Sequence, residues 1–251
     1  MAERTIRVAV LGAAGRMGST VVRAIEAAPD LVLAAALDMD DDVGAAVAAN
    51  ASVAVEFTVP DSSEANVHAL IDAGIHAVVG TTGWNEEALE RVRDHLLDRP
   101  AIGVIIAPNY ALGAVLSMRF AAQAAPYFES VEVIELHHPD KIDAPSGTAR
   151  QTADRIAAAR RDAGTPPSPD ATSVALDGAR GADVGGVRVH SVRLRGLVAH
   201  QEVLLGNPGE TLTIRHDTTD RESFMAGVLL GIRRVGVHPG LTFGLDAFLD
   251  G

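Results

Sequence analysis

The sequence contains no cysteine. Disulfides, thiolate metal sites and cysteine nucleophiles are excluded at once, and a reducing, cytoplasmic setting is the expectation. Basic residues are scarce: 21 Lys+Arg against 33 Asp+Glu give a formal net charge of −12. Phosphate backbones and anionic membranes are bound through a basic footprint. Neither a nucleic acid nor a membrane is therefore the expected partner, although a small anion in a locally basic pocket stays open. Long apolar runs are missing too. Stretches such as residues 102–107 and 225–232 fall far short of the roughly 20 residues a membrane helix needs. The N-terminal apolar run breaks at Gly12 and Arg16 and reads as a buried strand, not a secretory segment. Repeats and low-complexity blocks are lacking.

What is present is apolar material, 47% of 251 residues, enough for one large core or two modest ones. Short β-branched runs at residues 6–11, 31–37, 53–58, 75–79 and 101–107 read as buried strands. Between them, residues 16–28, 63–73 and 86–97 read as helices, with Gly74 placed just past the end of the second. Strands alternating with helices of this length predict an α/β fold with a doubly wound parallel sheet. The rhythm changes after residue 108. A helix at 113–125, a strand at 130–136, a polar stretch and a helix to about 163 precede a Pro-rich loop. Three alternating segments at 187–195, 201–206 and 211–216 follow. This predicts a second, α+β domain with a mixed or antiparallel sheet. The expected division is 1–108 with 217–251 as the dinucleotide-binding domain and 109–216 as the other, the helix at 221–235 returning to the first.

The first expected strand ends in Gly12-Ala13-Ala14-Gly15-Arg16-Met17-Gly18. Gly12 permits a tight turn, Gly15 lets backbone approach a pyrophosphate at a helix N-terminus, and Gly18 allows close packing. Asp38 ends the second strand, 20 residues beyond Gly18, where an acid hydrogen-bonds an adenosine ribose. Together these predict dinucleotide binding. Past Asp38 stand Met39 and three acids, Asp40, Asp41 and Asp42, rather than an Arg for a 2′-phosphate. NADH is thus the preferred cofactor, with NADPH kept open by Arg16. Two later strand ends, Gly80-Thr81-Thr82 and Ala107-Pro108-Asn109-Tyr110, belong at the same sheet edge and offer groups to the nicotinamide end.

The most unusual stretch is residues 135–149, with His137, His138, Lys141, Ser146, Gly147 and Thr148 in close succession. Adjacent histidines in extended chain face opposite ways, and no third ligand with metal spacing appears, so no metal is expected. Neither a GxSxG elbow nor a Walker A loop is present. Gly147 and Thr148 at a helix N-terminus suit a carboxylate. His138 and Lys141 add donors, and a His or Lys can supply a proton after hydride arrival. Ser146 is either part of that site or the helix cap.

The segments GAAGRMG, EFTVP, HAVVGTTGW, APNYALGAV and ELHHPDKIDAPSGTA follow one another over nearly the whole chain. In that order the sequence closely resembles the 4-hydroxy-tetrahydrodipicolinate reductase (dihydrodipicolinate reductase) family, in its shorter actinobacterial style. The resemblance implies a Rossmann-like cofactor domain and NAD(P)H-dependent reduction of a cyclic dicarboxylate imine, with loss of water, on the diaminopimelate route to lysine. It implies His137 as the acid/base and Lys141 as the proton donor. His138, Gly147 and Thr148 match substrate-carboxylate positions. Cofactor contacts match Gly12 through Met17, Asp38, Gly80 to Thr82 and Ala107 to Tyr110. A homotetramer built through the second domain is implied as well. The sequence departs from the family pattern at Ala14, at Glu56, at Tyr110 and at residues 198–201. Two other readings remain distinct in kind: a different two-domain dehydrogenase, which has no need of the His-Lys-Gly cluster, and a nucleotide-sensing module, in which that cluster would be eroded.

Overall fold

The structure, a computed structural model, describes residues 5–249. It divides into two compact units: one runs to Leu112 and resumes at Arg221, the other is Gly113–Asp220.

In the first unit the elements run β1 (Ile6–Leu11), α1 (Gly18–Ala27), β2 (Leu31–Leu37), α2 (Val43–Ala48), β3 (Val53–Glu56), α3 (Pro60–Asp72), β4 (His76–Val79), α4 (Glu86–Leu97) and β5 (Gly103–Ile106). α5 (Leu112–Ala124) leads into the second unit. That unit holds β6 (Ser130–His137), α6 (Gly147–Asp162), β7 (Ala182–Val184), β8 (Val187–Arg193), β9 (Ala199–Asn207) and β10 (Glu210–Thr218). The chain then re-enters the first unit with α7 (Met225–Arg234) and β11 (Gly240–Phe243).

The first sheet is parallel throughout, in the order β11-β5-β4-β3-β1-β2. Strands buried on both faces need nearly continuous apolar runs, and residues 8–11, 53–55, 77–79 and 104–106 supply them. Ala9, Leu11, Ala54, Ala77, Val79, Val104 and Ile106 pack with Val67, Leu70 and Ile71 of α3 and Leu89, Val92 and Leu96 of α4. α1 and α7 contact each other. From β1 the chain goes outward to β2 and then back past β1 to β3, so the order reverses between β1 and β3. Ligands of such sheets bind outside the carboxyl ends of the strands at that reversal.

Several boundaries differ from expectation for local reasons. α3 was expected from residue 63 but opens at Pro60 in its first turn, where the missing N–H of a proline is not needed. β3 stops at Glu56, whose carboxylate takes the Thr58 amide (3.2 Å) and the Ser63 hydroxyl (2.7 Å). α1 begins at Gly18, not residue 16, because Arg16 and Met17 still belong to the turn. Three elements carried no strong sequence signal: the short helix α2, the three-residue strand β7, and β11, which adds a sixth strand by pairing in parallel with β5.

The second sheet is mixed, in the order β10-β9-β6-β8-β7, with only β6 and β8 parallel. Residues 187–195, 201–206 and 211–216 were expected to alternate as antiparallel strands. β9 and β10 do so, whereas β8 runs parallel to β6. α6 lays Ala149, Ala153, Ile156 and Ala157 on the sheet against Val131, Val133, Val189 and Val203, a stripe at helical spacing. Arg160 continues that stripe into the core. Its guanidinium is satisfied by the carbonyls of Ala125, Phe128, Glu129 and Pro166 at 2.6–3.2 Å.

Candidate active site

In the first unit the glycine-rich turn crosses the carboxyl end of β1. Gly12 sits at φ +78°, and a Cβ there would lie 2.3 Å from the Phe57 carbonyl oxygen. A Cβ on Gly18 would lie 2.0 Å from the Gly12 oxygen, so Gly18 packs against its own turn rather than against a strand. The turn spends several amides on itself. Gly12 and Ala13 donate to the Leu37 carbonyl, Gly15 to Gly12, and Ala14 to the Asp38 carboxylate at 2.9 Å. Arg16 and Met17 stand at the start of α1, where the helix dipole favours an anion.

A cleft of about 400 Å³ opens beside this turn. Gly15, Arg16 and Met17 line it together with Gly80, Thr81, Thr82, Ala107, Pro108, Asn109 and Tyr110. Three separate sequence segments thus meet at one sheet edge. Phe57, Thr58, Pro60 and Phe224 join them. Sequence reasoning had given these four no role, although Phe57 follows β3 as Gly12 follows β1, and that equivalence was a usable signal. A Cβ on Gly80 would strike the Phe57 ring at 2.0 Å. The Thr81 hydroxyl accepts from the Thr58 amide at 2.9 Å, and the Asn109 side-chain oxygen closes a turn onto the Ala111 amide. Tyr110 is buried and donates to the Val79 carbonyl at 2.9 Å. Burial first, then the Glu56 charge, pushes its hydroxyl pKa well up, and the residue lines the cleft.

Asp38, Met39, Asp41 and Asp42 line a second cleft of about 540 Å³ with Gly12, Gly15 and Thr58. Ala13 and Ala14 lie away from both, in a groove shared with Asp38, Ser19 and Arg23. A glycine turn stripped of side chains, a helix N-terminus and an acid at the end of β2 fit a dinucleotide.

In the second unit the site grows from β6. Its alternation puts Val131, Val133, Glu135 and His137 on one face, and the first three are buried. Glu135 is 0% exposed. Arg193 of β8 grips it with two prongs, Nη2 to Oε1 at 2.8 Å and Nη1 to Oε2 at 2.9 Å. The Ser146 amide donates to Oε1 at 3.2 Å, and His137 Nδ1 bonds Oε2. Burial opposes ionisation of Glu135, but hydrogen bonds from Arg193, Ser191 and His137 outweigh it and hold the carboxyl below its usual range. Burial also lowers the His137 pKa, against the pull of Glu135 and with help from Lys141 and Arg193.

Beyond β6, Lys141 Nζ is hydrogen-bonded to one oxygen of Asp143, and the Gly147 amide donates to the other at 3.2 Å. The Lys141 bond, ahead of opposing burial, keeps the Asp143 carboxyl below its ordinary range. Ser146 caps α6, its hydroxyl accepting from the Ala149 amide at 3.2 Å. Thr148 stands in the first turn behind it, and His138 follows His137 directly. Lys141, Gly147 and His137 are thus brought into one charged neighbourhood. Sequence reasoning gave no role to Glu135, Asp143 or Arg193. The signal for Glu135 was a charge at a position where the strand alternation calls for a hydrophobe. Arg193, 58 residues downstream, had none. Among the described residues no cluster of three or more His, Asp or Glu could hold a metal, and no helix is long and apolar enough to cross a membrane.

Parallel sheet, glycine turn and acid at β2 define a pyridine-nucleotide-dependent oxidoreductase joined to a second, mixed-sheet unit. Comparison with known proteins narrows the class. Residues 6–110 match the family model "Dihydrodipicolinate reductase, N-terminus" and residues 113–249 the model "Dihydrodipicolinate reductase, C-terminus". A protein of Beutenbergia cavernae named 4-hydroxy-tetrahydrodipicolinate reductase is 67% identical over 98% of this chain and 99% of its own. A namesake from Streptomyces griseus is 62% identical over 98% of both. A dipicolinate-bound dihydrodipicolinate reductase from a Paenisporosarcina species superposes with a TM-score of 0.86 at 36% identity, covering 97% of this chain and 99% of that one. The chain belongs to the dihydrodipicolinate reductase family.

Proposed function

We propose that the chain reduces 4-hydroxy-tetrahydrodipicolinate to tetrahydrodipicolinate, with loss of water, on the diaminopimelate route to lysine, and that it draws on NADH in preference to NADPH. One observation carries the reading. A carboxylate, that of Asp143, is gathered by the Lys141 ammonium and the Gly147 amide next to His137. A ligand carboxylate finds those same two donors by exchanging with Asp143, and His138 and the Thr148 turn complete its cradle.

The nicotinamide, when bound, supplies the hydride. The amides of Arg16 and Met17 would hold its pyrophosphate and Asp38 its ribose. The strand ends Gly80-Thr81-Thr82 and Ala107-Pro108-Asn109-Tyr110 would hold the nicotinamide end, with Gly12, Ala13, Ala14 and Gly15 shaping the turn. Asp38, Asp41 and Asp42 around one cleft repel a 2′-phosphate, which favours NADH. Lys141 gives a proton to the substrate atom that becomes electron-rich as hydride arrives. His137, its pKa lowered chiefly by burial, takes part as acid/base on the same step. Excluding water around them strengthens each of these interactions. The working form is a cytoplasmic homotetramer built through the second unit, to be checked by light scattering.

The test is direct. Purified protein is mixed with freshly generated substrate and NADH, and absorbance of the reduced nicotinamide is followed. Rapid, substrate-dependent oxidation, faster at equal concentration with NADH than with NADPH, is the expected result. Intact nucleotide binding without oxidation overturns the reaction; equal or better kcat/KM with NADPH overturns the preference alone.

A further inference from the structure

Glu135 occupies a place that β6 otherwise fills with Val131 and Val133, on the face that receives α6. A carboxylate there is costly unless every acceptor is used. Five groups use them: both prongs of Arg193, the Ser146 amide, the Ser191 side chain and the His137 ring. Arg193 in turn donates to the Asp143 carbonyl at 2.6 Å. One buried ion pair thus ties together the end of β6, the end of β8, the loop that carries Lys141 and Asp143, and the residue that caps α6. A buried ion pair is a weak route to stability, since an apolar substitute of equal volume often serves as well or better. What it does supply is orientation. An ionised carboxylate only accepts hydrogen bonds. The His137 ring must therefore donate from Nδ1, which leaves Nε2 as the nitrogen able to exchange a proton with a ligand.

We propose that Glu135, held by Arg193, is the positioning residue of this site: it fixes His137 in the Nδ1–H tautomer and aims Nε2 at the substrate. The charged and titratable groups around His137 are Glu135 on its own strand, Arg193 on β8 and Lys141 in the following loop. Of these, only Glu135 favours the imidazolium. This inference rests on the proposed reaction at His137, but its first test does not.

Histidine-labelled protein is examined by nitrogen NMR, with the His137 signals assigned by their loss in His137→Gln. In the unaltered protein at neutral pH, the Nδ1–H tautomer is expected; an Nε2–H tautomer overturns the proposal with no variant needed. In Glu135→Gln, the tautomers should mix and the His137 pKa should fall further. Its kcat should drop by up to about 10⁴-fold, the cost of losing the acid that holds a general-base histidine in its tautomer, with KM for NADH unchanged. Should the unpaired Arg193 prevent folding, Glu135→Gln combined with Arg193→Gln removes both charges and keeps neutral hydrogen bonding. The same loss of tautomer and kcat is expected there. A folded variant of either kind with the native tautomer, or with kcat within twofold of the parent, overturns the proposal. A parent protein that shows the Nδ1–H tautomer yet does not oxidise NADH would instead overturn the reaction and leave the positioning of His137 standing.

Discussion

The two ligand-facing regions are built from different materials. In the first unit, the surface offered to the nucleotide is backbone made bare: Gly12, Gly15, Gly18 and Gly80 stand where a Cβ would strike or crowd a neighbour. In the second unit, the surface is made of charges in contact: Glu135 with Arg193 and His137, and Lys141 with Asp143. A dinucleotide is long and already carries its reactive group, and binding it needs shape and a few amides. The imine needs protons delivered at one atom, which requires side chains with tuned and fixed ionisation. Substitution should therefore fail in opposite ways: by collision in the first region, by loss of a charge in the second.

The sharpest separation is expected from Lys141→Ala. It should lower kcat about 10²–10⁴-fold, the range of general acid catalysis, while NADH affinity, measured by its fluorescence, stays within twofold. His137→Ala should act on the same step, so the double variant should lose less than the product of the two single losses. A Lys141→Ala protein that retains most of its kcat removes the lysine from the chemistry. Clean additivity would assign the two residues separate roles.

Gly12→Ala should produce the reverse pattern. The added methyl meets the Phe57 carbonyl at 2.3 Å in a backbone conformation, φ +78°, that L side chains avoid. The strain should cost about 1–3 kcal/mol, seen as a lower unfolding midpoint together with weaker NADH binding. Binding of dipicolinate, the ligand named for the related Paenisporosarcina structure, should be unaffected. If dipicolinate binding falls as far as NADH binding, the two regions are not separable in the way their construction implies.

A smaller effect is expected at Asp38. Its carboxylate accepts from the Ala14 and Met39 amides and faces the cleft with Asp41 and Asp42. Asp38→Asn keeps the turn and removes a charge. NADH should bind less well and NADPH better, closing the gap between their kcat/KM values by about tenfold, or 1.4 kcal/mol. An unchanged ratio would move the basis of cofactor choice elsewhere.

The same contrast governs what could be read from the sequence. Glycine spacing, β-branched runs and an acid at a fixed distance are local signals with one physical meaning. The glycine turn, Asp38 and both later strand ends line clefts in the structure for that reason. β11 escaped notice because four residues after Pro239 hold no period of their own; they are a strand only because β5 has an open edge. In the second unit, His137, Lys141 and Gly147 stood out by composition and resemblance. Arg193 did not, since an arginine at a strand end looks the same whether it faces water or a buried carboxylate 58 residues away. Its role arises from the parallel register that sets His137 beside Arg193, and register is a product of the whole fold.

The mildest prediction concerns pH and tests whether burial, common to both units, acts alike in each. His76 in the first unit and His137 and His216 in the second all have pKa values lowered chiefly by burial. Unfolded, each titrates near 6.5, so below that value the unfolded chain binds protons that the folded one refuses. Their contribution to stability is therefore complete above pH 6.5 and lost as pH falls through the lower folded values. Paired acids such as Asp30 and Asp143, with values lowered from 3.8, lose theirs only at still lower pH. The unfolding midpoint should thus begin to fall as pH drops below about 6.5, ahead of the acid limb of the carboxylates. In His76 the imidazole Nδ1 accepts the Gly103 amide at 3.0 Å, which protonation would forbid. His76→Gln keeps an acceptor that does not titrate, so its midpoint should decline less steeply over that window than the parent's. A variant that follows the parent's slope would mean that His76 takes up its proton without cost, and that the pH response belongs to the charged network of the second unit alone.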